Sequence, residues 1–198
     1  SDPNPLVNGK GMQMLQEAGI EVHCGFLEDT IRTQLEYYLC YIQKNRPFVT
    51  WKTALTLDGK YAAEDNSSRW ITGNNARQFV HRLRGENDVV LTGINTVLSD
   101  NPLLNVRLPG NHKQPLRIVL DPLLKIPLQS GFITIASSFP AMIITSPAML
   151  KTPKAEKLQQ KGVKIETLQC QNNHFNLHEV LQQLSQMKYY SVLLETGS

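Results

Sequence analysis

Residues 46–108 read RPFVTWKTALTLDGKYAAEDNSSRWITGNNARQFVHRLRGENDVVLTGINTVLSDNPLLNVRL. A strand-like alternation runs from Phe48 to Leu57 and stops at Asp58-Gly59, a strong turn signal because glycine accepts the positive φ of tight turns. From Asn74, the residues Ala76, Phe79, Val80 and Leu83 recur at helical spacing and leave Arg77, Arg82 and Arg84 largely outward. Asp88-Val-Val-Leu-Thr92 is then a short apolar strand closing on Gly93. Strand, helix and buried strand in succession mark an α/β unit.

The pattern continues downstream. Leu116–Asp121 and Ala141–Thr145 read as buried strands. Helices at Ala148–Lys161 and Leu177–Met187 alternate with strands at Val163–Leu168 and Tyr189–Glu195, and Asn176 with Glu179 makes a capping box for the last helix. The expected fold is therefore an α/β domain around a largely parallel sheet covered on both faces. Upstream of a boundary near residue 45 the pattern differs. Met12, Leu15, Ile20 and Val22 predict a short helix and a strand, and Ile31, Leu35, Tyr38, Leu39 and Ile42 predict one helix from Glu28 to Gln43. So short a segment cannot bury much of a core alone, so residues 1–45 read as the tail of another domain plus a linker, and residues 46–198 as the main domain. The last strand runs into Glu195-Thr196-Gly197-Ser198, so the expectation is a domain cut short at its carboxyl end.

Composition narrows the function. A formal charge of +3 with no clustered Lys/Arg run is not a nucleic-acid footprint, although it suits an anionic small molecule. No apolar run reaches the ~18–20 residues that span a bilayer. Cys24, Cys40 and Cys170 are scattered, and the histidines lack ligand spacing, so no zinc site is expected. Gly9-Lys-Gly-Met-Gln-Met14 imitates a dinucleotide fingerprint but has methionine at the third glycine position and follows a Pro-Asn-Pro turn instead of a strand.

Several residues carry chemistry on their own account. Lys52, inside an apolar strand, is either an edge charge or an inward group aimed at a reacting centre. Ser67-Ser-Arg-Trp-Ile-Thr-Gly73 is either a polar loop into a helix, or a place where Ser68 donates to phosphate and Trp70 faces a cofactor. Arg84 and Arg107 either lie on solvated surfaces or converge on one phosphate through bidentate forks. Thr92-Gly93-Ile94-Asn95-Thr96 is a strand–glycine turn that lets backbone N–H groups approach a phosphate, and Asp100-Asn101-Pro102 reads as a turn.

Taken together, these elements resemble the reductase domain of the bifunctional riboflavin-biosynthesis deaminase/reductase family, which has a dihydrofolate-reductase-like three-layer fold. Residues 2–25 resemble the closing segment of that family's cytidine-deaminase-like domain, whose zinc motifs (H-x-E and P-C-x-x-C) have no counterpart in this sequence. The resemblance implies a cytoplasmic enzyme that uses NADPH to reduce the ribosyl group of 5-amino-6-(5-phosphoribosylamino)uracil to a ribityl chain. It also implies association of copies through the reductase domains. Ala54, Trp70, Thr96 and Asp100 fall where the family contacts NADPH. Ser68, Arg84, Leu104, Arg107 and Glu195 fall where it contacts or borders the phosphorylated substrate. Lys52 and Asp100 stand as the candidate proton donors, with Glu195 behind them. The sequence departs from the family at Thr196, where a glycine is usual, and at Pro122, where serine is common. The alternatives are a catalytically incomplete module used for assembly, or a same-fold reductase of another pteridine or pyrimidine.

Overall fold

The structure is a computed structural model that describes residues 2–60 and 72–196. The chain forms two compact units: Ser1–Phe48 with Leu181–Tyr190, and Val49–Val180 with Ser191–Ser198.

The larger unit is built on a six-stranded sheet. Its strands are β1 (Phe48–Lys52), β2 (Val89–Gly93), β3 (Leu116–Leu120), β4 (Ala141–Thr145), β5 (Val163–Thr167) and β8 (Ser191–Glu195), in the spatial order β1-β8-β2-β3-β4-β5. From β8 to β5 every neighbouring pair is parallel. β4 is buried along its whole length and β2 up to Gly93, which explains their unbroken apolar composition: strands covered on both faces have no solvent side to keep polar. The chain steps outward from β2 to β5, then returns to place β8 on the other side of β2. Open parallel sheets bind ligands beyond the carboxyl ends of the strands where the direction of winding reverses. Here that place lies between β2 and β8.

Among the described residues this unit holds α4 (Asn74–Glu86), α5 (Ile94–Asp100), the single turn α6 (Gly131–Thr134) and α7 (Pro153–Gln160). One core joins Val90, Val119, Ile143 and Leu193 from the sheet to Val97, Phe132, Ala155 and Leu158 from the helices. A two-stranded hairpin, β6 (Cys170–Gln171) with β7 (His174–Phe175), precedes α8 (Leu177–Gln186). Asn172 and Asn173 turn that hairpin with φ of 51° and 62°, the left-handed pair that an N-N dipeptide accepts.

The smaller unit contains α1 (Lys10–Glu17), α2 (Glu28–Gln34) and α3 (Glu36–Lys44). Tyr37 stacks on Phe48, Tyr41 stacks on Tyr190, and the Tyr41 hydroxyl donates to the Ser185 carbonyl. Most of its apolar side chains stay exposed, Phe26 at 85% and Leu6 at 76%, as expected of a segment too short to enclose a core.

Several expectations are corrected. The single helix from Glu28 to Gln43 breaks at Leu35, where the backbone leaves the helical region (φ −98°, ψ 12°). The Thr33 hydroxyl donates to the Asp29 carbonyl one turn back, a bond that bends helices. Ile20 and Val22 form no strand, because no described strand lies beside them to satisfy their backbone. The strand from Phe48 ends at Lys52 instead of Leu57. The helix expected at Ala148–Lys161 is a 3-10 turn (Pro147–Met149) followed by α7. Pro153 cannot sit inside a helix but suits its first turn, and the Thr152 hydroxyl caps it by accepting from Ala155 N–H.

One buried cation ties the larger unit together. Arg117, in the middle of the parallel sheet, is fully buried. It donates to the carbonyls of Leu103, Phe132 and Phe139 and lies 4.7 Å from the Phe132 ring centroid. Burial pulls its guanidinium down to about 10, so the side chain is still charged at neutral pH. Replacing Arg117 with alanine should cost at least about 3 kcal/mol in urea denaturation, because each orphaned buried acceptor costs roughly 1–3 kcal/mol. Methionine at this position should recover only the packing share. A loss below about 1 kcal/mol would mean these carbonyls have other partners.

Candidate functional site

Parallel registers bring Gly93, Leu120, Thr145 and Glu195 to one edge of the sheet. Glu195 ends β8 as a carboxylate in an otherwise apolar strand, and only 7% of its surface is exposed. Arg84, in the last turn of α4, meets it with a two-pronged ion pair: Nε donates to Oε1 at 2.6 Å and Nη2 to Oε2 at 2.9 Å. The remaining nitrogen, Nη1, donates to the Asn105 carbonyl at 3.2 Å. The expectation that Arg84 lies on an outward helix face is therefore corrected. It follows Val80 by four residues and so shares the inward stripe of the helix. A charged residue in that stripe was the signal, and it is meaningful only with Glu195 opposite it.

The loop leading away from α5 is pinned residue by residue beside this pair. Leu104 adopts a left-handed φ of 58° while its side chain sits in the core at 2% exposure, so burial outweighs a backbone cost of about 1–2 kcal/mol. Asn105 gives its carbonyl to Arg84 and its Oδ1 to Arg107 Nη1 at 2.8 Å. Val106 is bonded on both backbone groups by the amide of Gln114, at 3.0 and 3.1 Å. Arg107 N–H donates to Nδ1 of His81 at 3.3 Å. His81 lies one turn before Arg84 on α4.

The electrostatics of this cluster are cationic. Partial burial and the neighbouring charge of Arg84 lower the pKa of Arg107. Burial, then Arg84 and Arg107, lower that of His81, while the Asn105 backbone and Glu195 pull the other way. Arg107 itself remains exposed, with guanidinium donors beyond the one that Asn105 takes. The cluster thus presents one exposed cation, Arg107, with the buried Arg84–Glu195 pair behind it.

A second feature on the same edge is an open cleft of about 540 Å³. It is lined by Gly93, Ile94 and Asn95, by Leu120-Asp-Pro-Leu123 and Lys125, and by the β6–β7 hairpin. Buried Asp121 holds the second of these walls by accepting from the N–H groups of Lys125 and Ile126, both at 2.8 Å. Gly93 precedes α5 with no side-chain cap, and a Cβ there would meet nothing within 4 Å, so the backbone of the first helical turn is open to an approaching group.

Of the residues picked from the sequence, Arg84, Arg107 and Glu195 come together, joined through Asn105. Leu104 adjoins them, but its side chain is in the core and only its backbone is available. Thr96 and Asp100 lie one turn apart on α5. Asp100 is exposed and accepts from the Ser99 hydroxyl. Lys52 is half-buried at the end of edge strand β1, on the opposite face from Trp51, which is 66% exposed and donates to the Thr196 hydroxyl. Ala54 follows in the irregular stretch before the Asp58-Gly59 turn, where Gly59 has the positive φ of 79°. Ser68 and Trp70 lie outside the described residues. His81 and Asn105 were missed because neither belongs to a motif; their roles come from the loop folding back on α4.

The model of the RibD C-terminal domain matches residues 47–198. The chain belongs to the RibD C-terminal domain family. It is 42% identical to the riboflavin biosynthesis protein RibD of Aquifex aeolicus over 99% of its own length and 53% of that relative. It is 40% identical to that of Actinobacillus pleuropneumoniae over all of its own length and 52% of that relative. The chain thus spans about half the length of the curated relatives it matches. Among solved structures, RibD of Acinetobacter baumannii superposes with a TM-score of 0.81 at 36% identity, covering all of this chain and 53% of that one. A Thermotoga maritima diaminohydroxyphosphoribosylaminopyrimidine deaminase/5-amino-6-(5-phosphoribosylamino)uracil reductase superposes at 0.82 and 32% identity, covering all of this chain and 52% of that one. Among the described residues no helix is long and apolar enough to cross a membrane.

The ion pair at the centre of the site makes a sharp expectation. Arg84→Ala and Glu195→Ala should each destabilise the fold by about 3–5 kcal/mol, since each strands a buried charge. The double variant should lose much less than the sum, and a denaturation double-mutant cycle reads the coupling. Additive losses would mean that the two side chains act independently.

Proposed function

We propose that this chain carries the NADPH-dependent reduction of the ribosyl group of 5-amino-6-(5-phosphoribosylamino)uracil to its ribityl product, within a protein that is also a deaminase. The observation that carries the reading is the exposed Arg107 fork beside a buried Arg84–Glu195 pair at the sheet's carboxyl edge. Membership of the RibD family supports it, as does the activity named for the Thermotoga relative.

In this reading Arg107 takes the substrate phosphate, helped by Ser68. Arg84 orients Glu195 and fixes Asn105, which in turn aims Arg107. Glu195, with both oxygens already accepting from Arg84, has lone pairs left for sugar hydroxyls. The Leu104 backbone borders the sugar. The residues of the carboxyl-edge cleft fit a dinucleotide, through the uncapped first turn of α5 and through Lys125, with Ala54, Trp70, Thr96 and Asp100 as further contacts. NADPH, when bound, supplies the hydride for the sugar C1′ of the ring-opened imine. The protein's share is to hold that carbon in place, to exclude water, and to deliver a proton to the nitrogen from Lys52 or Asp100. We further propose that the protein is cytoplasmic and associates through copies of this domain.

Steady-state kinetics on the full-length protein tests this. A charge-assisted hydrogen bond contributes roughly 1.5–3 kcal/mol, so Arg107→Ala should raise KM for the phosphorylated substrate by about 10- to 150-fold. KM for NADPH should hardly change. Lysine should restore only part of the loss, because it lacks the fork. An unchanged KM for the pyrimidine, or equal losses for both substrates, would remove Arg107 from the phosphate.

A further inference from the structure

We propose that His81 is a positioning residue: through its unprotonated Nδ1 it anchors the backbone of Arg107 and so sets the affinity for the phosphorylated substrate. This rests on the assignment of Arg107 to the phosphate, and the experiment below separates the two.

The geometry assigns the ring's tautomer. Arg107 N–H is a donor, so Nδ1 of His81 must accept, and the ring's proton resides on Nε2. No other bond holds the Arg107 backbone among the described residues. Its side chain is tethered at one nitrogen to Asn105, and Val106 before it is fixed by Gln114. The His81 contact is thus the last pin on a rigid loop, placed at the residue that meets the anion.

The anchor works in one protonation state only. An imidazolium has two N–H donors and no acceptor, so protonating Nδ1 sets N–H against N–H and repels the loop. The charged groups around the ring are Arg84 on its own helix, Arg107 on the loop and Glu195 at the end of β8. Burial and the two arginines outweigh the Asn105 backbone and Glu195, whose charge Arg84 already claims, and they hold the ring below the usual histidine range. The sign follows. A depressed folded-state pKa means the anchor is fully present above the ordinary histidine value of ~6.5, and is lost as pH falls below that through the folded value.

The test uses three variants of the full-length protein. Asparagine at 81 places Oδ1 where Nδ1 stood and does not titrate; leucine keeps bulk and removes the acceptor. His81→Leu is expected to raise KM for the phosphorylated substrate by about three- to tenfold at pH 8, the share of one neutral hydrogen bond, with kcat and the KM for NADPH unchanged. His81→Asn is expected to keep the wild-type KM at pH 8. It should also lack part of the rise in KM that wild type shows on acidification, the remainder coming from the substrate's own phosphate. A wild-type KM in His81→Leu, a fall in kcat instead, or the same acid rise in His81→Asn as in wild type would each overturn the proposal. The ¹⁵N–¹H signal of the Arg107 amide, followed over the same pH range without substrate, reads the anchor alone. It should shift with acid in wild type and not in His81→Asn, and an identical response in both would refute the anchor. Arg107→Ala completes the set: if it leaves KM unchanged while the amide behaves as expected, the phosphate assignment fails and the anchor stands.

Discussion

A buried carboxylate at the end of a strand is costly unless something of opposite charge meets it, and Arg84 is that group. The pair does more than neutralise itself. Both prongs of the guanidinium go to Glu195, and the third nitrogen goes to the Asn105 carbonyl, so one side chain joins α4, β8 and the loop after α5. A lysine could meet the charge but not the three directions. The site's shape therefore depends on a planar cation with fixed geometry.

The loop that this pair fixes is stiff for several independent reasons. Leu104 is driven into a left-handed conformation because its side chain gains more from the core than its backbone loses. Val106 is locked by Gln114, and Arg107 by His81. A cationic group presented on such a loop is ordered in advance, which would lower the entropic cost of binding an anion there. Arg117 supplies the same service beneath it: by donating to the Leu103 carbonyl it ties the root of this loop to the sheet.

Much of the architecture was legible in the sequence because it rests on local periodicity. Apolar runs such as Val89–Leu91 and Ala141–Ile144, short and bounded by turn residues, read as covered strands, and the spacing of Val80 and Leu83 reads as a helix packed on one face, although Phe79 stays 52% exposed. Element ends were less legible, since they depend on single side chains. The Thr33 hydroxyl and Pro153 each divided what periodicity alone drew as one helix.

The sequence by itself determined the alternation of the main sheet strands with α4, α7 and α8, and the family to which it is similar. It also determined that arginines, a strand-ending glutamate and a lysine-bearing strand were the chemistry to watch. Tertiary structure alone decided which of these meet. Arg84 and Glu195 stand far apart in the chain, and only the return of β8 to the flank of β2 makes them partners. That contact turned an apparent surface arginine into a buried strut, leaving Arg107 as the exposed cation. His81 carried no motif at all. Its part follows from a backbone N–H pointing at its ring, and a long-range hydrogen bond leaves no trace in local spacing.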